Sequence, residues 1–139
     1  TKVMGRGEID RIVINTTGIA LTPTLIRDNG LGVGDRIIVT GTIGDHGMAV
    51  MATRHGLAIE APLVSDVAPL NGLIRTAIAR DPRAITAMKD PTRGGVASAL
   101  HELAAKSRVA IVLDEAALPV RDATRGVAEL VGIDPLLVA

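Results

Sequence analysis

The sequence predicts an α/β (α+β) chain in two parts, with the end of one domain joined near residue 42 to the first part of an α/β domain. Three observations carry this. Short β-branched runs and turn-rich stretches fill the chain up to residue 40. Helical and extended periods alternate regularly after it. Glycine-rich corners stand where an extended run gives way to a helix.

In order along the chain, "EIDRIVINTTGIA" holds a β-branched run closed by Thr-Thr-Gly, so Ile9 to Thr16 reads as a strand. Residues 20 to 35 are turn-rich and read as an irregular connection. The run "RIIVT", Arg36 to Thr40, reads as a strand whose unbroken Ile-Ile-Val suits burial on both faces. The period then changes. Met48, Met51, Ala52 and His55 share one helical stripe, with Gly56 where a left-handed cap is wanted, so a helix is expected from about Gly47 to His55. Ser65 to Arg80 gives a second helix, with Val67, Leu70, Leu73, Ile74, Ala77 and Ile78 at spacings of three and four. "RAITAMKD" alternates as a strand. Behind it Gly95 to Lys106 reads as a helix burying Val96, Ala99, Leu100 and Leu103, followed by a strand "RVAIVL" and a helix from Asp122 to Val131 that ends at Gly132. The echo between "DPTRG" and "DATRG" reads as chance similarity, because the second copy lacks the paired glycine and falls inside a helical pattern.

Composition narrows the function. Of 139 residues 47% are apolar, yet there is no Phe, Tyr or Trp, so the core is aliphatic and the chain has no base-stacking platform. Fifteen basic residues balance fifteen acidic ones, which removes the electrostatic footprint of a nucleic-acid binder. With no cysteine there are no disulfides, thiolate nucleophiles or cysteine-based zinc sets. The apolar runs are broken by charge before membrane-spanning length, and the first residues have no signal-peptide organisation, so a soluble, cytoplasmic protein is expected. Both ends look cut: the chain starts on Thr1 and stops at "DPLLVA" in mid-pattern.

Two corners carry the candidate chemistry. In "KDPTRGG", Pro91 biases Asp90 away from helix, Thr92 can cap, and Gly94 with Gly95 lets the chain turn sharply, so the following helix is expected to start with its amides exposed. Exposed amides and the helix dipole favour an anion, and Arg93 can pair with phosphate in bidentate fashion. The same residues also suit nothing more than a well-capped helix. "GTIGDHG" has similar logic, with Asp45 or Thr42 able to cap and His46 at the tip as a proton carrier or an idle loop histidine. His55 and His101 read as surface or interfacial residues, and three scattered histidines make no metal site. Asp114 and Glu115 could hold magnesium beside a nucleotide, or form a solvated turn.

"TKVMGRGEIDRIVINTTGIA", "GDRIIVTGTIGDHGMAVMATRHGL", "SDVAPLNGLI", "AMKDPTRGGVASALHELA" and "LPVRDATRGVAELVGIDPLLVA" resemble, in order, successive segments of the HypE family of hydrogenase maturation proteins, within the aminoimidazole ribonucleotide synthetase-like (PurM-like) superfamily. The resemblance implies a two-domain architecture, with residues 1–42 as the C-terminal part of an ATP-binding N-terminal domain and 43–139 as part of the C-terminal domain. It implies ATP-dependent dehydration of a carboxamide, carried on the protein's own C-terminal cysteine, to the thiocyanate that supplies the cyanide ligands of the nickel-iron hydrogenase centre. It further implies ATP and Mg2+, a homodimer, and as partners the HypF carbamoyltransferase and the HypC–HypD complex. On the family pattern Lys2 helps activate the carboxamide. Asp90, Thr92, Arg93, Gly94 and Gly95 line the cleft and bind cofactor or substrate tail, with His46 beside them. The family's acidic metal ligands before "TK", its "NEGK" after "LLVA" and its cysteine tail are not in this chain, so the expectation is an internal piece unable to turn over by itself. The rival readings are another PurM-like enzyme, such as selenophosphate synthetase or thiamine-monophosphate kinase, and a non-catalytic dimerisation or docking module.

Overall fold

In the structure, a computed structural model, residues 14–23, 25–59 and 63–139 are described. Four α-helices stand among them: α1 Asp45–Arg54, α2 Asn71–Arg80, α3 Gly95–Ser107 and α4 Asp122–Val131. Two short 3-10 turns, Glu115–Ala117 and Pro135–Leu137, follow α3 and α4.

All four expected helices form, and local chemistry explains where they stop. α1 ends on a left-handed Gly56, whose N–H bonds the Thr53 carbonyl while that of Leu57 bonds Ala52, the paired closure of a Schellman motif. α4 ends on Gly132 at φ 68°, as expected. The end of α3 uses the same closure without glycine: Arg108 takes φ 58° and its N–H bonds Ala105, while Val109 bonds Ala104. α2 is shorter than the spacing of three and four suggests. It starts at Asn71 rather than Ser65, because Pro69 disfavours helical backbone at Ala68, and the Val67 N–H bonds the Ser65 hydroxyl instead.

The core lies between α1 and α4. Met48, Ala52, Val127 and Ala128 are buried against one another, with Leu57, Ile59, Leu63, Val131, Ile133 and Val138 packed around them. α3 buries Gly95, Val96, Ala99 and Leu103, while Leu100 is only half-buried. Burying a side chain such as Met48 contributes roughly 1.5–3 kcal/mol. α2 buries none of its stripe, and Leu73 is 52% exposed.

The expected strands do not ladder. Among the described residues Arg36–Thr40, 83–90 and 108–113 form no strand. Ile37, Ile38 and Val39 are exposed, the reverse of the expected burial on both faces. Residues 85–90 and 107–112 alternate between half-buried and exposed, the two-residue period of an extended segment with one covered face. A strand exists through the hydrogen bonds of its neighbour, and no described segment lies in register beside these. Of the strand Ile9 to Thr16, residues 14–16 carry no ladder and the remainder lies outside the described residues.

Candidate functional site

The two glycine corners meet on one segment. Gly44, left-handed at φ 78°, caps α1, and a Cβ there would stand 2.8 Å from the Pro135 carbonyl oxygen. A Cβ on Gly47 would stand 2.6 Å from Val138, and the Gly47 N–H donates to the Ala139 carbonyl. Gly95, at φ 60°, faces the same segment from the other side: its Cβ would run into the Leu136 carbonyl and stand 2.5 Å from that of Val138. The α1 and α3 N-termini thus bracket residues 135–139, and the missing side chains let backbone approach backbone.

The expectation for "DPTRGG" is therefore split. Gly95 is buried and its N–H already donates to the Thr92 carbonyl at 2.9 Å, so the corner does not present all its amides to a ligand. Thr92 does not cap α3 with its side chain; the cap position is Gly94, at φ 80°. Asp90, Thr92 and Arg93 are exposed, Gly94 is half-buried, and Arg93 makes no hydrogen bond or ion pair among the described residues. The polar side chains of the corner remain exposed while Gly95 packs against Leu136 and Val138.

"GTIGDHG" also differs from expectation. Neither Asp45 nor Thr42 caps α1. Asp45 is the first residue of the helix, so its side chain points at α4 and is fully buried. Its carboxylate accepts from the hydroxyls of Thr42 and Thr124 and lies 3.2 Å from Nε of Arg121, itself 52% exposed. The Ile43 N–H bonds the Pro119 carbonyl at 3.0 Å and seals the same corner. A buried carboxylate is tolerated only when donors replace its water, and here two hydroxyls and a guanidinium do so. His46 sits in the first turn of α1 rather than at a loop tip, half-buried, with Nδ1 3.0 Å from the Ser65 hydroxyl.

Sequence reasoning missed Asp45 as a hub. Its flanking glycines gave a signal of a tight corner, but Thr124 stands 79 positions away and no local pattern links them. The Ser65 contact of His46 likewise spans 19 positions. His55 closes α1 at the surface, and exposed His101 lines a groove of about 320 Å³ with Val96, Ala97, Leu100, Ile111 and Leu136. Asp114 accepts from the Ala116 N–H at 3.1 Å, which makes "DEAA" a capped turn, and no group of three potential metal ligands occurs among the described residues. Lys2 lies outside the described residues.

An ionic strap ties residue 28 to α3. Lys106 pairs with Asp28 and lies 3.7 Å from Glu102, which also pairs with Lys89. The hydrogen bond and charge of Lys106 hold the Asp28 carboxyl below its ordinary value, those of Lys89 do the same for Glu102, and Asp28 raises Lys106. Asp35 is lowered by the Gly32 N–H and by the Thr86 hydroxyl.

Residues 32–139 match the AIR synthase related protein family, C-terminal domain. The chain belongs to that family. Within the AIR synthase related proteins it is similar to the carbamoyl dehydratase HypE of Rhizobium leguminosarum bv. viciae, 43% identical over 100% of this chain and 40% of that protein. Among solved structures it resembles HypE in a HypE–HypF complex, at TM-score 0.77 and 45% identity over 82% of this chain and 37% of the other. It also resembles a HypE solved in complex with ATP, at TM-score 0.77 and 35% identity over 82% and 34%. The chain thus spans about 40% of the length of the curated relatives it matches. The matches support the α/β, PurM-like class expected from the sequence.

Proposed function

We propose that the gene product carrying this chain is an ATP-dependent carbamoyl dehydratase of hydrogenase maturation, and that residues 43–139 form one wall of its cleft, with 1–42 closing the preceding domain. The observation that carries this reading is the 43% identity, along the whole chain, to a relative named for that activity. The reaction needs a way to expel oxygen from an amide. Phosphoryl transfer from ATP to the amide oxygen with loss of one N–H proton, then loss of the second proton as the C–O bond breaks, leaves thiocyanate, ADP and phosphate. Such steps depend on positioning and on stabilising charge.

This chain's residues would act as follows. Arg93, exposed and unengaged among the described residues, pairs with phosphate or with the substrate-tail carboxylate. Asp90 and Thr92 hold polar groups beside it, while Gly94 and Gly95 set its direction by turning the chain into α3. His46 binds the tail through the ring nitrogen that Ser65 does not hold. Lys2 steadies negative charge developing on the amide oxygen. When bound, Mg2+ would screen the phosphate charges. Its protein ligands are proposed to lie outside this chain, as the resemblance implies; among the described residues no three potential ligands stand together.

HypF is the proposed carbamoyl donor, in line with the HypE–HypF complex of a similar chain. The HypC–HypD complex is proposed to receive the product, and a cytoplasmic homodimer is the working form; no helix among the described residues is long and apolar enough to cross a membrane. The 139-residue chain alone is expected to be inactive. Isothermal titration of this chain with magnesium ATP should give no saturable heat, and the whole gene product, carbamoylated on its cysteine, should release one phosphate per thiocyanate formed. Carbamoylated protein that turns over no ATP would sink the reading.

A further inference from the structure

We propose that Asp45 is a positioning residue for the cleft: its buried carboxylate locks the start of α1 to the start of α4, and so fixes the path of residues 135–139 between the α1 and α3 N-termini. The inference rests on the dehydratase reading for its consequence, but on geometry for its mechanism.

Three contacts make the chain of cause. Asp45 has no exposed surface and binds three partners, Thr42 on its own side and Arg121 and Thr124 on the far side of the corner. The neighbouring Gly44 rests on Pro135, with no room for a side chain between them. Residues 136–138 in turn lie against Gly95, two positions from Arg93. These contacts leave little slack, because Gly44 and Gly95 meet backbone directly and the Asp45–Thr124 hydrogen bond is buried. A shift of α1 against α4 therefore has to move 135–139, and with it the corner that aims Arg93.

The donors fix the orientation of the carboxylate. Four oxygen lone-pair sites meet two hydroxyls and one guanidinium, whereas an amide offers one neutral acceptor oxygen and turns its NH2 group toward a hydroxyl. Asp45→Asn thus removes the charge that faces Arg121 and makes the Thr124 hydroxyl accept rather than donate, which loosens the corner. Thr124→Val removes one hydroxyl at constant shape, and Thr124→Ser restores it.

The test uses the whole gene product. With folding checked by circular dichroism and thermal unfolding, D45N and T124V should lower kcat by roughly ten- to a hundred-fold, the scale of an ångström-sized misplacement. KM for ATP should change much less than kcat, because Arg93 is the one phosphate-pairing residue that the lock aims and the remaining nucleotide ligands are proposed to lie outside this chain. T124S should recover most of the loss, and hydrogen exchange at the amides of Gly47 and Gly95 should speed up in D45N and T124V while α2 is unchanged. Folded D45N and T124V with kcat and exchange like wild type would overturn the proposal, as would a T124S defect equal to that of T124V. A wild-type protein with no ATP-dependent dehydration overturns the function proposed above instead, and the exchange data then decide the lock by themselves.

Discussion

The two parts of this chain respond differently to the same apolar pattern. From Thr42 onward, α1, α3, α4 and the 135–139 segment enclose every buried residue of the described structure, including Ile43, Met48, Leu103 and Val127. Residues 14–40 and α2 carry equally apolar stretches, yet Ile38 is 86% exposed and Leu73 52%. Burial is a property of pairs of surfaces: α1 finds α4, whereas α2 has no described helix packed closely against it and the 36–40 run stays exposed. The comparison teaches that an amphipathic stripe states a demand for a partner without supplying one.

The sharpest way to break the packed part is at Gly95. Gly95→Ala places a Cβ into the carbonyls of Leu136 and Val138 at a left-handed φ of 60°. It should cost several kcal/mol, about 3 or more, by combining overpacking with backbone strain, and urea unfolding of the purified protein would read it as a lowered midpoint.

A matched pair of truncations sharpens the contrast between the regions. Met48→Ala should cost about 2–5 kcal/mol, as large-to-small core changes do. Leu73→Ala in the 139-residue chain should stay within about 0.5 kcal/mol, as surface changes do. If the two shifts measured by chemical denaturation came out equal, the division into a packed and an open part would be wrong.

A smaller gain is expected where a helix stops badly. Arg108 holds a left-handed conformation that glycine adopts freely, so Arg108→Gly should stabilise by up to about 1 kcal/mol, seen as a higher thermal midpoint. The smallest effect concerns the ionic strap between residue 28 and α3. Asp28 and Glu102 have depressed pKa values, so their contribution is present above the unfolded-state value, near pH 4, and is lost as pH falls through the folded value. Lys106 is raised, so its contribution persists until pH climbs above the ordinary lysine range. All three groups are solvent-facing, and salt should shrink the effect. Lys106→Met should flatten the acid limb of a stability-against-pH curve slightly, measured at low ionic strength.

Much of the fold was legible because helices are written locally. Gly56 and Gly132 marked two helix ends through a backbone angle that few other residues take, and the Val96–Leu103 stripe marked the inner face of α3 through a period of 3.6. Pro69 is equally local, and its effect on the start of α2 was readable in principle. The site was legible only in part. Asp90 to Gly95 were singled out for the right conformational freedom, but the sequence could not say that Gly95 spends its freedom on Val138 and Leu136 rather than on a ligand.

By itself, the sequence determined the helices, the glycine ends of α1 and α4, an aliphatic core without aromatic anchors, and a corner able to present Arg93. Those follow from dihedral preferences and periodicity, which act within a few residues. Only the tertiary structure decided that Asp45 is a buried hub, that Thr124 and Arg121 are its partners, that both glycine corners close on residues 135–139, and that 36–40 stays uncovered. Each of these depends on which surfaces meet across tens of residues, and hydrogen bonding and burial are energies of that meeting rather than of any stretch of chain.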